Sequence, residues 1–442
     1  MSQSNTSQSP AYPSPGYAWY TVVLLTVVYI FNFIDRYILS LLVEPIKGDM
    51  QLTDTQIGLL LGPAFAIFYT TMGIPLGWLA DRSRRTWILS AGITIWSLAT
   101  AASGLTKNFI QLFFARIMVG VGEASLSPCA LPMIADSFPP EKRGRPIALY
   151  SAALSIGGGL ALLLGASVII WSKSVDTIVL PLLGEIAPWQ FVFIAVGLPG
   201  VLVALLCLSL REPNRQEKTN LGKDGKAGLR DAFSYIRQHW QAYTGFVTIV
   251  ALMLIVTYSQ GWLAAMFQRT WGWNPEKYAL WYGTGMIIIG PVTVNLTGWL
   301  SDHLSNKVGR DAPVRIIIWG GLLLVPTAAI APLMPTGEMA YAVLLLNLVS
   351  LAMITAVGPT ALLNITPGEI RGQVTAAYYL VVSVAGLFLG PMTVGLLNDT
   401  VMGEDGVRYS VAAIPLIYGL PVLLLMPWAL RSYRKKLADE QA

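Results

Sequence analysis

The chain reads as a series of long apolar runs divided by polar breaks. Crossing the hydrocarbon layer takes about 20 mostly apolar residues. Twelve runs qualify: Tyr17–Leu42, Thr55–Ala80, Trp87–Leu105, Phe109–Ala135, Pro146–Trp171, Trp189–Leu210, Ala242–Phe267, Tyr278–Leu300, Pro313–Leu333, Met339–Leu363, Gly372–Leu397 and Val407–Leu430. The longest break, Arg211–Gln241, falls in the middle. None of the runs alternates with a period of two, as barrel strands would. The pattern predicts an all-α membrane protein of twelve transmembrane helices in two six-helix bundles. Its expected parts are a disordered cytoplasmic tail (1–16), a first bundle (17–210), a cytoplasmic linker (211–241), a second bundle (242–432) and a cytoplasmic tail (433–442).

Composition supports a lipid-solvated chain. Of 442 residues, 12% are charged and 54% apolar, whereas soluble domains carry roughly 25% charged residues. Residues 1–16 lack a basic stretch before an apolar one, so no signal peptide is read there. Cys129 and Cys207 both lie inside apolar runs. Neither a disulfide framework nor a metal site is indicated, and no cofactor is expected. With the N-terminus inside, about 21 basic residues fall on inner loops and tails. The outer loops carry Lys47, Lys107, Lys173, Arg269, Lys277 and Arg408. Both termini are therefore expected in the cytoplasm. Dispersal over alternate loops argues against nucleic acid as a partner.

The two halves repeat. Gly77-Trp-Leu-Ala-Asp81-Arg82 closes the second run, and Gly298-Trp-Leu-Ser-Asp302-His303 closes the eighth. Pro140-Glu141-Lys-Arg143-Gly144 follows the fourth run, and Pro367-Gly-Glu369-Ile-Arg371-Gly372 follows the tenth. Asp81 is separated from Asp302 by nearly the same length of chain as Arg143 from Arg371, so two independent matches share one offset. Parallel repeats of this kind place a substrate site near midplane between the halves.

Gly77-Trp-Leu-Ala-Asp81-Arg82-Ser-Arg84-Arg85 resembles the signature loop of the major facilitator superfamily, with Ser83 and Arg84 where a further Gly often occurs. A narrower resemblance is to the spinster branch. It rests on Asn32-Phe-Ile-Asp35-Arg36, Gly73-Ile-Pro-Leu-Gly77 and Ala115-Arg116-Ile-Met-Val-Gly120-Val-Gly122-Glu123-Ala124. Animal members of that branch export sphingosine phosphate or lysophospholipids. The resemblance implies alternating access, and short loops accord with the plasma membrane of a bacterium (its inner membrane). It also implies that Asp81, Arg82 and Arg85, with Asp302 in the second half, form a gating charge network on the inner side. Glu141, Arg143, Glu369 and Arg371 are the matching elements after the fourth and tenth spans. A plainer reading of Arg84 and Arg85 is topology-setting surface charge.

Asp35, Arg36, Arg116 and Glu123 fall well inside spans, where each Asp or Arg costs roughly 2.5–3.5 kcal/mol on insertion scales. They either tie spans one and four together or serve transport. Arg116 and Glu123, seven residues apart, share a helix face about 10 Å long. Counted from Leu42 and Asn108, Asp35 and Arg116 lie at similar depths. Asp35 is therefore expected to pair with Arg116, leaving Arg36 and Glu123 to face the substrate. Asp35 and Glu123 are the candidate proton carriers, since desolvation and a neighbouring arginine pull a carboxyl in opposite directions. His239 and His303 lie near inner ends, which disfavours a histidine relay.

The second half carries no charge inside its spans by this placement. It offers Tyr258, Gln260, Trp262, Asn295, Asn347, Tyr378 and Tyr379. Of these, Tyr258, Gln260, Trp262, Asn295 and Tyr378 join Arg36, Arg116 and Glu123 as candidate substrate contacts, with helix packing the plainer alternative for each. A charged wall facing an apolar-aromatic one suits an amphipathic substrate. The Gly157–Gly159 run, Gly165, Gly386, Gly390 and Pro391 are read as close helix packing. Leu229–Trp240 reads as an amphipathic helix on the inner leaflet. A GxGxxG-like coincidence near Gly120 lies inside a span without a preceding strand and is no nucleotide site.

The resulting expectation is a proton-coupled carrier of a lysophospholipid- or sphingolipid-like substrate, working as a monomer among membrane lipids. A small organic anion bound by Arg36 and Arg116 is the second reading. A non-transporting sensor on the same fold is disfavoured by the intact charge cluster. No nucleophile–base arrangement or phosphate loop suggests an enzyme.

Overall fold

A computed structural model describes residues 12–139, 142, 144–173, 178–180, 184–214, 229–367 and 370–439. Twelve helical stretches are long and apolar enough to cross a membrane: Pro15–Leu41, Asp54–Ala80, Arg85–Ser103, Phe109–Ser137, Arg145–Trp171, Pro188–Cys207, Trp240–Trp271, Pro275–Lys307, Ala312–Leu333, Gly337–Asn364, Gln373–Met402 and Glu404–Asp439. They are called spans 1 to 12. In lipid the backbone must satisfy its own polar groups, and a helix does so within one segment. A hairpin of β1 (Ile178–Leu180) and β2 (Gly184–Ile186) joins spans 5 and 6. The helix Leu229–Gln238 precedes span 7.

With twelve spans, both ends of the chain and the linker between spans 6 and 7 share one face, here the terminal face. The loops between spans 1 and 2 and between 11 and 12 lie on the opposite face. Span 1 packs on span 5, span 3 on span 6, span 9 on span 10 and span 7 on span 12. The halves meet along two seams, span 5 with span 8 and span 2 with span 11.

Glycine makes both seams possible. A Cβ on Gly159 would lie 2.5 Å from the Gly283 carbonyl oxygen, and one on Gly283 2.8 Å from that of Gly159. In the other seam a Cβ on Gly58 would lie 2.8 Å from the Pro391 carbonyl oxygen. Backbone meets backbone there, so no side chain fits without parting the halves.

Several spans leave regular α-helix. Span 1 turns at Leu42 and runs on as a short helix, Val43–Met50. Span 2 breaks at Gly62, between Leu61 and Pro63. Span 7 tightens to a 3-10 turn over Ser259–Trp262. Span 11 loosens to π-helix over Ala385–Leu389, against span 7 and span 2.

Candidate functional site

The charge cluster sits between spans 1, 2 and 4. Arg36 donates from Nε to Glu123 Oε2 at 2.8 Å; the Glu123 side chain is fully buried and that of Arg36 is 18% exposed. The guanidinium lies 4.5 Å from the Phe65 ring, 4.7 Å from Tyr69 and 5.6 Å from Phe33. Phe65 and Tyr69 stack on each other at 5.1 Å. Cation–π attraction is strongest where water is excluded, so the arginine is held by one carboxylate and three rings.

Arg116 is buried and donates from Nη1 to the main-chain carbonyl of Asp35 at 3.3 Å. The Asp35 carboxylate, also buried, makes no ion pair with it among the described residues. The expected Asp35–Arg116 pair is thus corrected to Arg36–Glu123. Side-chain direction is the reason for Asp35. Arg116 reaches its main chain, so the two lie at one level, but its carboxylate turns to Thr100 of span 3. Arg36 points about 100° away on the helix, toward span 4. Span 1 continues past Leu42 to Met50, so Arg36 lies as far before that end as Glu123 lies after Phe109. Both are about 21 Å along their helices at 1.5 Å per residue. Counting from Leu42 sets Arg36 too close to the boundary.

Two glycines explain how span 4 delivers Glu123 to this place. A Cβ on Gly120 would lie 2.6 Å from the Phe65 carbonyl oxygen, and one on Gly122 2.6 Å from the Gly92 carbonyl oxygen. Span 4 is wedged between spans 2 and 3, and the first of these contacts brings Phe65 and Tyr69 alongside Arg36. Asn32 lies against the Glu123 carboxylate, and Arg116 Nε is buried without a hydrogen-bond partner among the described residues. Such groups are uncommon in folded proteins.

Tyrosines complete the surroundings. Tyr29 and Tyr69 from the first half, with Tyr258 from the second, lie within electrostatic reach of Arg36. Tyr379, also from the second half, lies within electrostatic reach of Tyr29 and Tyr69. The sequence marks Tyr258 and Tyr379 but misses Tyr29, Tyr69, Phe33 and Phe65. Spacing is the one signal for these four, since Phe65 and Tyr69 are four apart, as are Tyr29 and Phe33. The charged wall is therefore aromatic as well, which corrects the expectation of one charged and one aromatic wall.

The remaining second-half candidates are engaged elsewhere. Trp262 is fully buried and donates its indole N–H to the Pro391 carbonyl at 2.9 Å, pinning span 7 to span 11. Tyr378 is buried and stacks on Phe246 at 5.7 Å. Gln260 donates to Asn347 Oδ1 and accepts from the Tyr282 hydroxyl at 3.1 Å. Asn295 is exposed and donates to the Pro291 carbonyl one turn back, at 2.7 Å. Of the candidates on this side, only Tyr258 is brought to the charge cluster.

On the terminal face, Arg85 is buried and bridges Asp136 at 2.8 Å and Glu212 at 2.6 Å, joining spans 3, 4 and the end of span 6. It ties one half to itself rather than to the other. Arg82 lies over Trp78 at 4.2 Å, Arg371 donates to the Thr366 carbonyl at 3.1 Å, and Asp302 is exposed. Glu141, Arg143, Glu369 and the Asp81 side chain lie outside the described residues.

The ion pairs that join the halves, among the described residues, are on the opposite face. Asp54, wholly buried, accepts from Lys47 at 2.7 Å and from Arg269 twice, at 2.6 and 2.9 Å. It also accepts from Asn398 at 2.9 Å. Arg269 further pairs with Glu44 at 2.7 Å, and Lys47 with Glu404. Asp399 accepts from the main-chain N–H groups of Asp54 and Thr55, at the first turn of span 2, where a helix favours negative charge. Lys47, Glu44 and Asp54 come from the first half; Arg269, Asn398, Asp399 and Glu404 come from the second. In the sequence, Lys47 and Arg269 register only as members of the outer basic minority.

A comparison with known families matches residues 25–391 to the Major Facilitator Superfamily. An MFS-type efflux pump of Mycolicibacterium smegmatis is 27% identical over 434 residues, covering 96% of each chain. Protein spinster of Drosophila melanogaster is 24% identical over 401 residues, covering 87% of this chain and 62% of that one. The crystal structure of a bacterial homolog of the human lysosomal transporter spinster, inward-facing and unoccupied, superimposes with a TM-score of 0.83 at 28% identity, covering 96% of this chain and 99% of that one. With the twelve-span fold and the span 1–span 4 charge cluster, these matches make the chain a member of the Major Facilitator Superfamily that is similar to its spinster proteins.

Proposed function

We propose that this chain is a proton-coupled transporter of an amphipathic substrate, working by alternating access with its terminal face in the cytoplasm of a bacterial cell. The family and fold are those of transporters, not enzymes. The observation that carries the reading is the Arg36–Glu123 pair, buried at its acidic end, partly exposed at its basic end and walled by Phe33, Phe65 and Tyr69. An anionic headgroup entering there competes with Glu123 for Arg36. A proton taken up by Glu123 frees Arg36 for that headgroup, while the rings accept the adjoining apolar part. Loading and protonation are thereby linked at one side chain. The clamp on the opposite face closes that side, which suits the inward-open member of the cycle.

The test is transport by purified protein in liposomes. A lysophospholipid or sphingosine-type lipid is compared with a small carboxylate, with and without a pH gradient. Gradient-stimulated movement of the lipid is the expected result. Movement of the carboxylate alone would favour the small-anion reading, and no gradient effect on either would remove proton coupling.

A further inference from the structure

The helix Leu229–Gln238 is seated on the second half by one side only. Tyr235 and Ile236 pack against the core there. The Tyr235 ring lies 4.7 Å from His239 and 6.3 Å from Tyr243, and the Lys436 ammonium sits 4.8 Å from it. The other side is uncovered: Phe233 is 69% exposed and Trp240, at the start of span 7, is 53% exposed. Phe233 and Arg237 lie one turn apart on this helix, and Trp240 opens the next helix just past the break at His239. The end of span 12 presents a second stripe, Trp428, Arg431 and Lys435, at spacings of three and four. The two stripes meet where Trp240 and Trp428 approach to 6.4 Å.

The cations divide by partner. On span 12, Arg434 pairs with Asp311 at 2.6 Å though its side chain is 46% exposed, and buried Lys436 covers Tyr235. Arg237, Arg431 and Lys435 are exposed, and none has a carboxylate partner among the described residues. Tryptophans at the membrane boundary with unpaired cations just beyond them match an acyl region below and phosphate above.

We propose that this junction of the linker helix with the end of span 12 is a binding site for an anionic phospholipid. Arg237, Arg431 and Lys435 hold the phosphate region, and Phe233, Trp240 and Trp428 contact the glycerol and upper acyl carbons. The lipid is a resident of the surrounding leaflet, distinct from any molecule carried between the halves. A soluble phosphate lacks the apolar part that the three rings would cover.

The experiment uses full-length protein in neutral detergent, titrated with phosphatidylglycerol or phosphatidylcholine while thermal unfolding is followed. Ligand bound to the folded state stabilises in proportion to occupancy. The expected result is selective stabilisation by phosphatidylglycerol that declines with added salt. The triple variant Arg237→Gln/Arg431→Gln/Lys435→Gln should lose on the order of 100-fold in apparent affinity for it. All three positions are exposed, and Arg431→Gln alone provides a milder variant with a smaller loss. A control, Lys107→Gln/Lys307→Gln, should keep the selectivity. Equal stabilisation by both lipids, full selectivity in the triple variant, or equal loss in the control would each overturn the proposal.

Discussion

Replacing Asp54 by asparagine removes the charge at the hub of the opposite-face clamp. Asp54 receives three charge-assisted bonds, one from Lys47 and two from Arg269, in a fully buried position. Removing one partner of a buried ion pair costs about 3–5 kcal/mol, because the remaining charge stays buried. Lys47 keeps Glu404 and Arg269 keeps Glu44, so the lower end, about 3 kcal/mol, is the better figure. The cost falls only on the clamped conformation, so the ratio of clamped to unclamped molecules should drop about 150-fold. Leu61→Cys, in the seam near Gly261, provides the readout. Cys129 and Cys207 are both buried and contribute little background. An impermeant maleimide applied from the opposite face should label Leu61→Cys far faster once Asp54→Asn is added. Arg269→Gln should act in the same direction. Labelling unchanged within about twofold in both variants would show that the ion pairs do not hold the halves together.

Other expectations follow from single contacts. Glu123→Gln and Asp35→Asn should fold and insert yet lose gradient-driven transport in liposomes; full gradient-driven transport by both would end the case for proton coupling. Gly120→Ala forces a Cβ against the Phe65 carbonyl and should lower stability by about 1–3 kcal/mol, read as a reduced unfolding temperature in detergent. Arg85→Ala removes the cation that joins Asp136 and Glu212 and should lower the unfolding temperature, measured the same way. Asp311 is pushed up by burial, but bonds from Arg315 and Arg434 outweigh this and hold its carboxyl below the usual value. Its stabilising effect is therefore present at neutral pH and fades as pH falls through that lowered value. Asp311→Asn should reduce the unfolding temperature slightly at neutral pH, with solvent screening limiting the loss. The difference from wild type should vanish once the pH lies below the usual carboxylate range.

The helices were legible because each span announces itself by length and composition, and the fold class follows from their number. The charge cluster was legible for the same reason, since Asp35, Arg36, Arg116 and Glu123 stand out against apolar neighbours. Their pairing was not, because it depends on which way each side chain turns from its helix as well as on where span 1 ends. The turn at Leu42 is marked only by Pro45, which has no N–H to bond the Leu41 carbonyl, and Glu44 and Lys47 around it resemble loop residues. Polar residues of the second half were harder still. Trp262 and Gln260 look like cavity residues in sequence, but each satisfies a partner within the bundle, and no periodicity separates those roles. The clamp stayed hidden because its members come from three distant stretches, 44–54, 269 and 398–404. Even so, the few basic residues on the sparsely charged side held a clue. Lys47 and Arg269 join the halves, Arg408 donates to the carbonyls of Pro332 and Met334, and Lys277 pairs with Glu338. Four of the six basic residues on that side are thus engaged in side-chain bonds.

The clamp also has an inside and an outside. The Glu404 side chain is 69% exposed, whereas Asp54 is wholly buried and Arg269 nearly so. The medium on that side therefore touches the rim of the lock and not its hub. Dissolved ions compete readily for the Lys47–Glu404 contact, where water already screens it, and hardly at all for Asp54. Parting of the halves should begin at the rim and reach the hub last, like a zip drawn from its wet end. External salt would then hasten the first movement of opening, while the final, dry step is left to be driven by whatever occupies the site beside Arg36 and Glu123.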